Sequence, residues 1–125
     1  MLKDKQPVAS VAVKNLETAR CFYEEKLGLV PRSGRQEPTT ITYQCGGGNL
    51  FVYESGNAGT NKATAVTWAV GADVDAIVTS LRGKGVAFES YDMPGKKEGD
   101  VYVMNGVRIA WFKDPDGNVH AVVNG

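Results

Sequence analysis

Val8-Ala9-Ser10-Val11-Ala12-Val13-Lys14-Asn15-Leu16-Glu17-Thr18-Ala19-Arg20-Cys21-Phe22-Tyr23 is the stretch on which the architecture turns. Its first six residues are short, apolar and rich in valine, as in a buried strand over 8–13. Leu16, Ala19, Phe22, Tyr23 and Leu27 then recur at three- and four-residue steps. That spacing puts them on one face of a helix over 16–27. Asn15 can cap the helix, because its amide oxygen can accept an orphan N–H of the first turn. Gly28 stands where a helix commonly stops.

Outward from this strand and helix, three further strands are expected at 30–36, 39–45 and 49–55. Gly46-Gly47-Gly48 between the last two reads as a hairpin turn, since glycine accepts positive φ without steric cost. These glycines open no helix, so they do not describe a phosphate-cradling loop. A polar connector, 56–61, falls near mid-chain, and the same order then begins again. Residues 63–70 read as a strand. Asp73 is a candidate N-cap for a helix through Lys84, with Val74, Ile77, Val78 and Leu81 on one face and Gly85 as its stop. Strands are expected at 86–91, 100–104, 107–113 and 119–123, with Asn105-Gly106 as a type I′ hairpin turn. Asn15-Leu16-Glu17 overlays Asp73-Val74-Asp75 at an offset of about 57 to 58 residues. The chain therefore reads as one α+β domain over 1–125, with one βαβββ module at about 7–56 and a second at about 62–125. A repeat this short cannot close its own core, so the two should pack side by side.

Composition narrows the partners. Of 125 residues, 42% are apolar and 22% charged, as in ordinary folded domains. Lys plus Arg and Asp plus Glu each number 14, so no net field draws the chain to nucleic acid or to an anionic membrane. Cys21 and Cys45 form no Cys-x-x-Cys pair and read as buried or half-buried thiols. No apolar signal core or membrane-length apolar run is present, which points to a cytoplasmic protein.

Three segments carry a family resemblance: residues 13–19 followed by Phe22-Tyr23 and Leu27-Gly28; Asp73-Val74-Asp75-Ala76-Ile77-Val78 with Lys84-Gly85-Val86; and Ala110-Trp111-Phe112-Lys113-Asp114-Pro115-Asp116-Gly117-Asn118. In this order they resemble the vicinal oxygen chelate (VOC) superfamily of glyoxalase, bleomycin resistance and extradiol dioxygenase proteins. The Asp114–Asn118 turn also has its own physical account. Pro115 sets φ for a type I turn, and Asp114 can accept hydrogen bonds from the turn backbone. We therefore assign the turn a structural role and no chemistry.

The resemblance implies two βαβββ modules forming a partly open barrel around a cavity, and a homodimer. In enzymes of the family it also implies a divalent metal held by His and Glu from four strands, acting as a Lewis acid. The corresponding positions here are Val8, then Phe51 or Tyr53, then Ala65 (Val66 if counted from Asp73), then Ala121. Val8 and Ala121 offer no donor atom of the kind a divalent ion needs. The expectation is therefore no metal and no cofactor. His120, adjacent to the last position, should point to the opposite face of its strand.

The expected cavity lining follows by strand alternation from these positions: Val8, Ser10 and Ala12; Phe51 and Tyr53; Ala65 and Thr67; Val119, Ala121 and Val123. Trp111 can be core or lining. Trp68 falls out of phase and should pack against the second helix. Residues 91–99 are the longest irregular stretch of the second half and could cover the cavity mouth. Such a lining suits a small, largely apolar or aromatic ligand. The reading favoured is a metal-free binding protein akin to the bleomycin resistance branch. The alternatives are a lyase-, isomerase- or dioxygenase-type enzyme of the superfamily with a displaced or non-metal site, and an interaction module with a vestigial cavity. Candidate polar groups for an enzyme are Ser10, Tyr43, Tyr53, Glu54 and Tyr102.

Overall fold

The structure, a computed structural model, describes residues 1–32 and 37–125. The tail of the strand expected at 30–36 lies outside the described residues; β2 is seen at Val30–Pro31. The first sheet runs β1 (Ala9–Val13), β4 (Gly48–Glu54), β3 (Thr40–Cys45), β2, with β1 parallel to β4 and the rest antiparallel. The second runs β5 (Thr64–Ala69), β9 (Val119–Val123), β8 (Val107–Lys113), β7 (Val101–Met104), β6 (Lys96–Glu98), with only β5 and β9 parallel. The two sheets do not merge into a closed barrel.

Helix α1 (Leu16–Arg20) is capped as expected: the Asn15 side chain accepts from Thr18 N–H at 2.9 Å. Its continuation differs. Residues Cys21–Lys26 widen into a π-helical turn, with Leu27 N–H donating to the Phe22 carbonyl. A single α-helix over 16–27 would spread Phe22 and Tyr23 about 100° apart; the wider turn accompanies the burial of both adjacent aromatics. Cys21, expected to be at least half-buried, is exposed on this turn, while Cys45 is half-buried. Helix α2 (Val74–Gly83) follows a 3₁₀ turn at Gly71–Asp73, and Asp73 makes no side-chain cap bond. The short turn supplies the entry into the helix in place of the expected cap.

The second half departs from expectation between the helix and β7. The strand expected at 86–91 is reduced to one bridge, Phe88 to Phe112, and a Glu89 N–H to Trp111 carbonyl bond of 2.8 Å. Phe88 meets Phe112 edge-on at 5.7 Å. The edge strand is instead Lys96–Glu98, inside the stretch expected to be irregular. Three charged residues on an outer strand leave an edge that resists pairing with another chain. Asn105 and Gly106, at φ 51° and 82°, form the expected hairpin turn.

One core lies between the sheets and the helices. Val11, Val13, Leu50 and Val52 meet Leu16, Ala19 and Phe22, while Val66, Ala110, Phe112 and Val122 join Val74, Val78 and Leu81 in the same cluster. Through it runs a buried chain of hydrogen bonds. The Trp68 Nε1–H donates to His120 Nδ1 at 3.0 Å. Indole is only a donor, so Nδ1 must accept and the imidazole proton sits on Nε2. Nε2–H then donates to the Tyr23 hydroxyl oxygen at 3.0 Å, and Tyr23 donates to Asp114 Oδ2 at 2.7 Å. Asp114 Oδ1 accepts from the Asp116 and Asn118 N–H groups, and Oδ2 also from Asn118 Nδ2. The other amide proton of Asn118 reaches the Ala12 carbonyl of β1 at 2.7 Å.

Burial holds His120 neutral. Its pKa falls from 6.5 to about 4, desolvation outweighing the opposing pull of the Asp114 charge. A histidine neutral in the fold but protonated when unfolded contributes stability that is full above pH 6.5. That contribution is lost as pH falls from 6.5 towards 4. We expect a loss of about 3 kcal/mol across this window, the order implied by such a shift. Denaturant melts at stepped pH measure it, and His120→Gln should flatten the slope. An unchanged slope in the variant would mean that other groups carry the acid sensitivity.

Phe22 and Leu81 sit in the two helix faces, with Phe22 against Phe112 at 6.2 Å between ring centres. Phe22→Ala and Leu81→Ala should each cost about 2–5 kcal/mol in chemical denaturation. Wild-type stability in both would contradict this packing.

Candidate functional site

Strand alternation divides each sheet into a face towards the helices and a face away from them. In β9, His120 and Val122 join the helix-side core, while Val119 and Ala121 belong to a separate cluster with Tyr102, Trp111 and Ile109. His120 thus points away from Ala121, as expected. Pairing extends the outer face sideways, because residues opposite one another share a side. Thr67 of β5 and Trp111 of β8 flank Ala121, and Tyr102 of β7 lies beside Ile109.

Trp111 is the centre of this surface. It is 9% exposed and takes edge-on contacts from Tyr91 at 5.3 Å and Tyr102 at 5.5 Å. The Tyr102 hydroxyl accepts the Tyr91 N–H at 2.6 Å, which pins the start of the 91–99 segment to the wall. The Lys97 ammonium sits 5.4 Å above the Tyr102 ring and donates to the Ser90 hydroxyl. A lysine over a ring face is a favourable electrostatic contact. Residues 91–99 are therefore tied to the sheet by Lys97 and by β6, a correction to the picture of one irregular lid.

The first sheet offers a second aromatic patch. Phe51 and Tyr53 stack at 5.7 Å with 18° between planes. Ser10 and Thr42 lie opposite Phe51, and Ala12 and Thr40 opposite Tyr53. The two patches belong to sheets that approach at β1 and β5, where Asn118 binds the Ala12 carbonyl.

Some of the other expected positions fall elsewhere and some do not. Val8 precedes β1 and is 47% exposed. Ser10 and Thr67 are exposed. Between Thr64 and Val66 the register shifts, and Ala65 packs against the helix-side core. The count from Trp68 assumed an unbroken strand, and the irregularity breaks it. Val66 itself is core. Val123 lies beside Ile109 and is half-buried. Trp68 reaches the helix side, as expected.

Three of the candidate polar groups have structural employment, Tyr102 among them through the Tyr91 N–H. Tyr43 is buried and donates to Glu24 at 2.9 Å. Glu54 Oε2 accepts the Leu16 N–H at 2.9 Å, binding the first turn of α1 from the end of β4. Among the described residues, no three His, Cys, Asp or Glu side chains come together as a possible metal-binding group. The positions Val8, Phe51, Ala65 and Ala121 carry no donor side chain, and Tyr53 alone supplies an oxygen, so the residues present do not fit the family's ion. Sequence reasoning missed the convergence of Tyr91 and Ile109 on Trp111. The alternation of Ile109 with Trp111 was available, whereas Tyr91 arrives by a loop that no periodicity describes.

Among the described residues, no helix is long and apolar enough to cross a membrane. The sequence profile of the Glyoxalase/Bleomycin resistance protein/Dioxygenase superfamily matches residues 5–122. No curated protein matches the chain by sequence. Solved structures do match. A member of the Glyoxalase/bleomycin resistance protein/dioxygenase superfamily from Sphaerobacter thermophilus is 23% identical, with a TM-score of 0.68 over 98% of both chains. Lactoylglutathione lyase from Agrobacterium tumefaciens is 17% identical, with a TM-score of 0.71 over 98% of this chain and 95% of that one. The fosfomycin resistance protein FosX from Listeria monocytogenes is 14% identical, with a TM-score of 0.67 over 100% of this chain and 93% of the other.

Tyr102→Phe removes the hydroxyl that accepts the Tyr91 N–H while keeping the ring on Trp111. We expect amide exchange at Tyr91 to speed up by roughly tenfold, about 1.4 kcal/mol of local protection. Exchange at the Val122 amide should not change. Equal acceleration at both would indicate global rather than local loosening.

Proposed function

The chain belongs to the Glyoxalase/Bleomycin resistance protein/Dioxygenase superfamily, and from that premise we propose that it binds a small, largely apolar, aromatic molecule on the outer face of its sheets without a metal. The observation that carries this reading is the aromatic cluster beside Ala121, where Tyr91 and Tyr102 pack edge-on against Trp111 and Tyr91 is the exposed ring of the three. Rings give a large apolar contact and favour offset or edge-on packing with an aromatic guest. The stacked Phe51 and Tyr53 offer a second patch of the same character. Thr40, Thr42, Ser10 and Thr67 supply a few hydroxyls for orientation, as is usual in apolar pockets. The metal-free part of the proposal rests on the donor-poor positions Val8 and Ala121. A homodimer belongs to the same proposal and rests on the family membership. Sedimentation at micromolar concentration tests it.

The binding test uses a neutral aromatic dye, N-phenyl-1-naphthylamine, followed by its fluorescence. Extensively dialysed protein should bind it saturably. Ala121→Trp sets a large ring between Thr67 and Trp111 and should weaken binding by more than about tenfold, or 1.4 kcal/mol. The overpacked position should cost about 1–3 kcal/mol in stability, leaving a folded protein to assay. Undiminished binding by the folded variant would remove this wall from the site. One tightly held metal ion per chain, whose removal abolishes binding, would overturn the metal-free reading.

A further inference from the structure

A groove lies on the opposite side of the sheet from the aromatic wall, between the end of the first helix and α2. It encloses about 250 Å³. Trp68, Phe112 and Val122 form its floor, and Leu27 and Ile77 stand on its sides. Eight of its eleven lining residues are apolar and none is acidic. The remaining three are Ser80 and two lysines, Lys26 and Lys84. The lysines come from different helices. The Lys26 ammonium lies 3.9 Å from where a Cβ on Gly85 would stand, so it has crossed to the end of α2 beside Lys84. Among the described residues, neither lysine has an ion-pair partner.

We propose that this groove is a binding site for a small apolar monocarboxylate, its chain on the Trp68–Phe112–Val122 floor and its carboxylate between Lys26 and Lys84. Charge complementarity selects the head group, because two unpaired cations border a lining without a carboxylate. Volume selects the size. At roughly 30 Å³ for each water-sized unit, the space suits about eight to ten non-hydrogen atoms, below the usual drug-sized range. A peptide helix or a second copy of the chain would need a far larger contact than such a groove offers. The Lys26 ammonium also stands near the last carbonyls of α2, where a cation is favourable on its own account. A purely structural role there would affect stability and leave ligand affinity unchanged.

Octanoate, with ten non-hydrogen atoms by its formula, is the probe, and octanol is the neutral control; both are titrated into the full chain at pH 7 by calorimetry. We expect one saturable octanoate site and at least about tenfold weaker octanol. The Lys26→Gln/Lys84→Gln double variant should weaken octanoate by about tenfold and leave octanol unchanged. Ser80→Trp, at an exposed position on the rim, should block both probes without threatening the fold. Ala121→Trp, on the other face, should leave octanoate binding intact, which separates this site from the aromatic wall. No saturable octanoate binding, equal affinity for octanol, or loss in Ala121→Trp but not in Ser80→Trp would each overturn the proposal. So would octanoate affinity that falls as protein concentration rises while Ser80→Trp dissociates an oligomer, since a second copy would then be the occupant.

Discussion

The Asp114 carboxylate is 5% exposed and accepts from four donors: the Asp116 and Asn118 backbone, the Asn118 side chain and the Tyr23 hydroxyl. A buried charge this well solvated by the protein is tolerable only while all its donors stay in place. Its partners fix different parts of the chain. Tyr23 holds the first helix to the second half, Asn118 reaches β1, and the Tyr23–His120–Trp68 relay crosses β9 to β5. Gly59 in the connector adds to this seam. At φ 77° it lies so close to the Asp116 carbonyl that a Cβ would collide with it. The docking of the two halves therefore depends on one turn, and that turn is fixed by one side chain.

This arrangement also decides which face of the second sheet is free. His120 is stacked on Phe112 at 4.9 Å, with Trp68 at 6.2 Å on a nearly parallel plane. With its ring held among these aromatics, β9 cannot rotate, and Val119 and Ala121 must face the other way. The aromatic wall on one side and the lysine-rimmed groove on the other are thus two consequences of a single register. Trp68 takes part in both the relay and the groove floor, so the groove has a rigid base.

Much of this was legible in the sequence where periodicity governs. Asn15, Gly46-Gly47, Asn105-Gly106 and the Asp114 turn specify local backbone, and each forms the cap or turn its residues favour. Alternation split β9 into its two sets, and the family resemblance said which set faces away from the helices. The misreadings fall where tertiary contact overrides local preference. Phe22 and Tyr23 are both buried by a π turn that no helical wheel contains. Phe88 is drawn onto Phe112 in place of strand pairing, and the Ala65 placement fails at a bulge. The relay was invisible because its members are 52 and 97 residues apart in sequence. The groove was invisible for the same reason, since its two lysines come from different helices.

His120 stands one residue from the position where the family's last metal ligand would be expected. A one-residue slip of β9 would turn it outward and bury Ala121 among the helices. The energetic terms all oppose that slip. Outward rotation would strand the Trp68 indole N–H and leave the Tyr23 hydroxyl with only its bond to Asp114, and each unsatisfied buried group costs roughly 1–3 kcal/mol. It would also break the ring stacking with Phe112 and leave the small Ala121 side chain in a space shaped for imidazole. No compensating ligand waits on the outer face, where the neighbours are Thr67 and Trp111. The same residue type that would read as a metal ligand in a bare sequence search is held by its hydrogen bonds as a neutral member of the core. The outer face is left with rings and small side chains around Ala121.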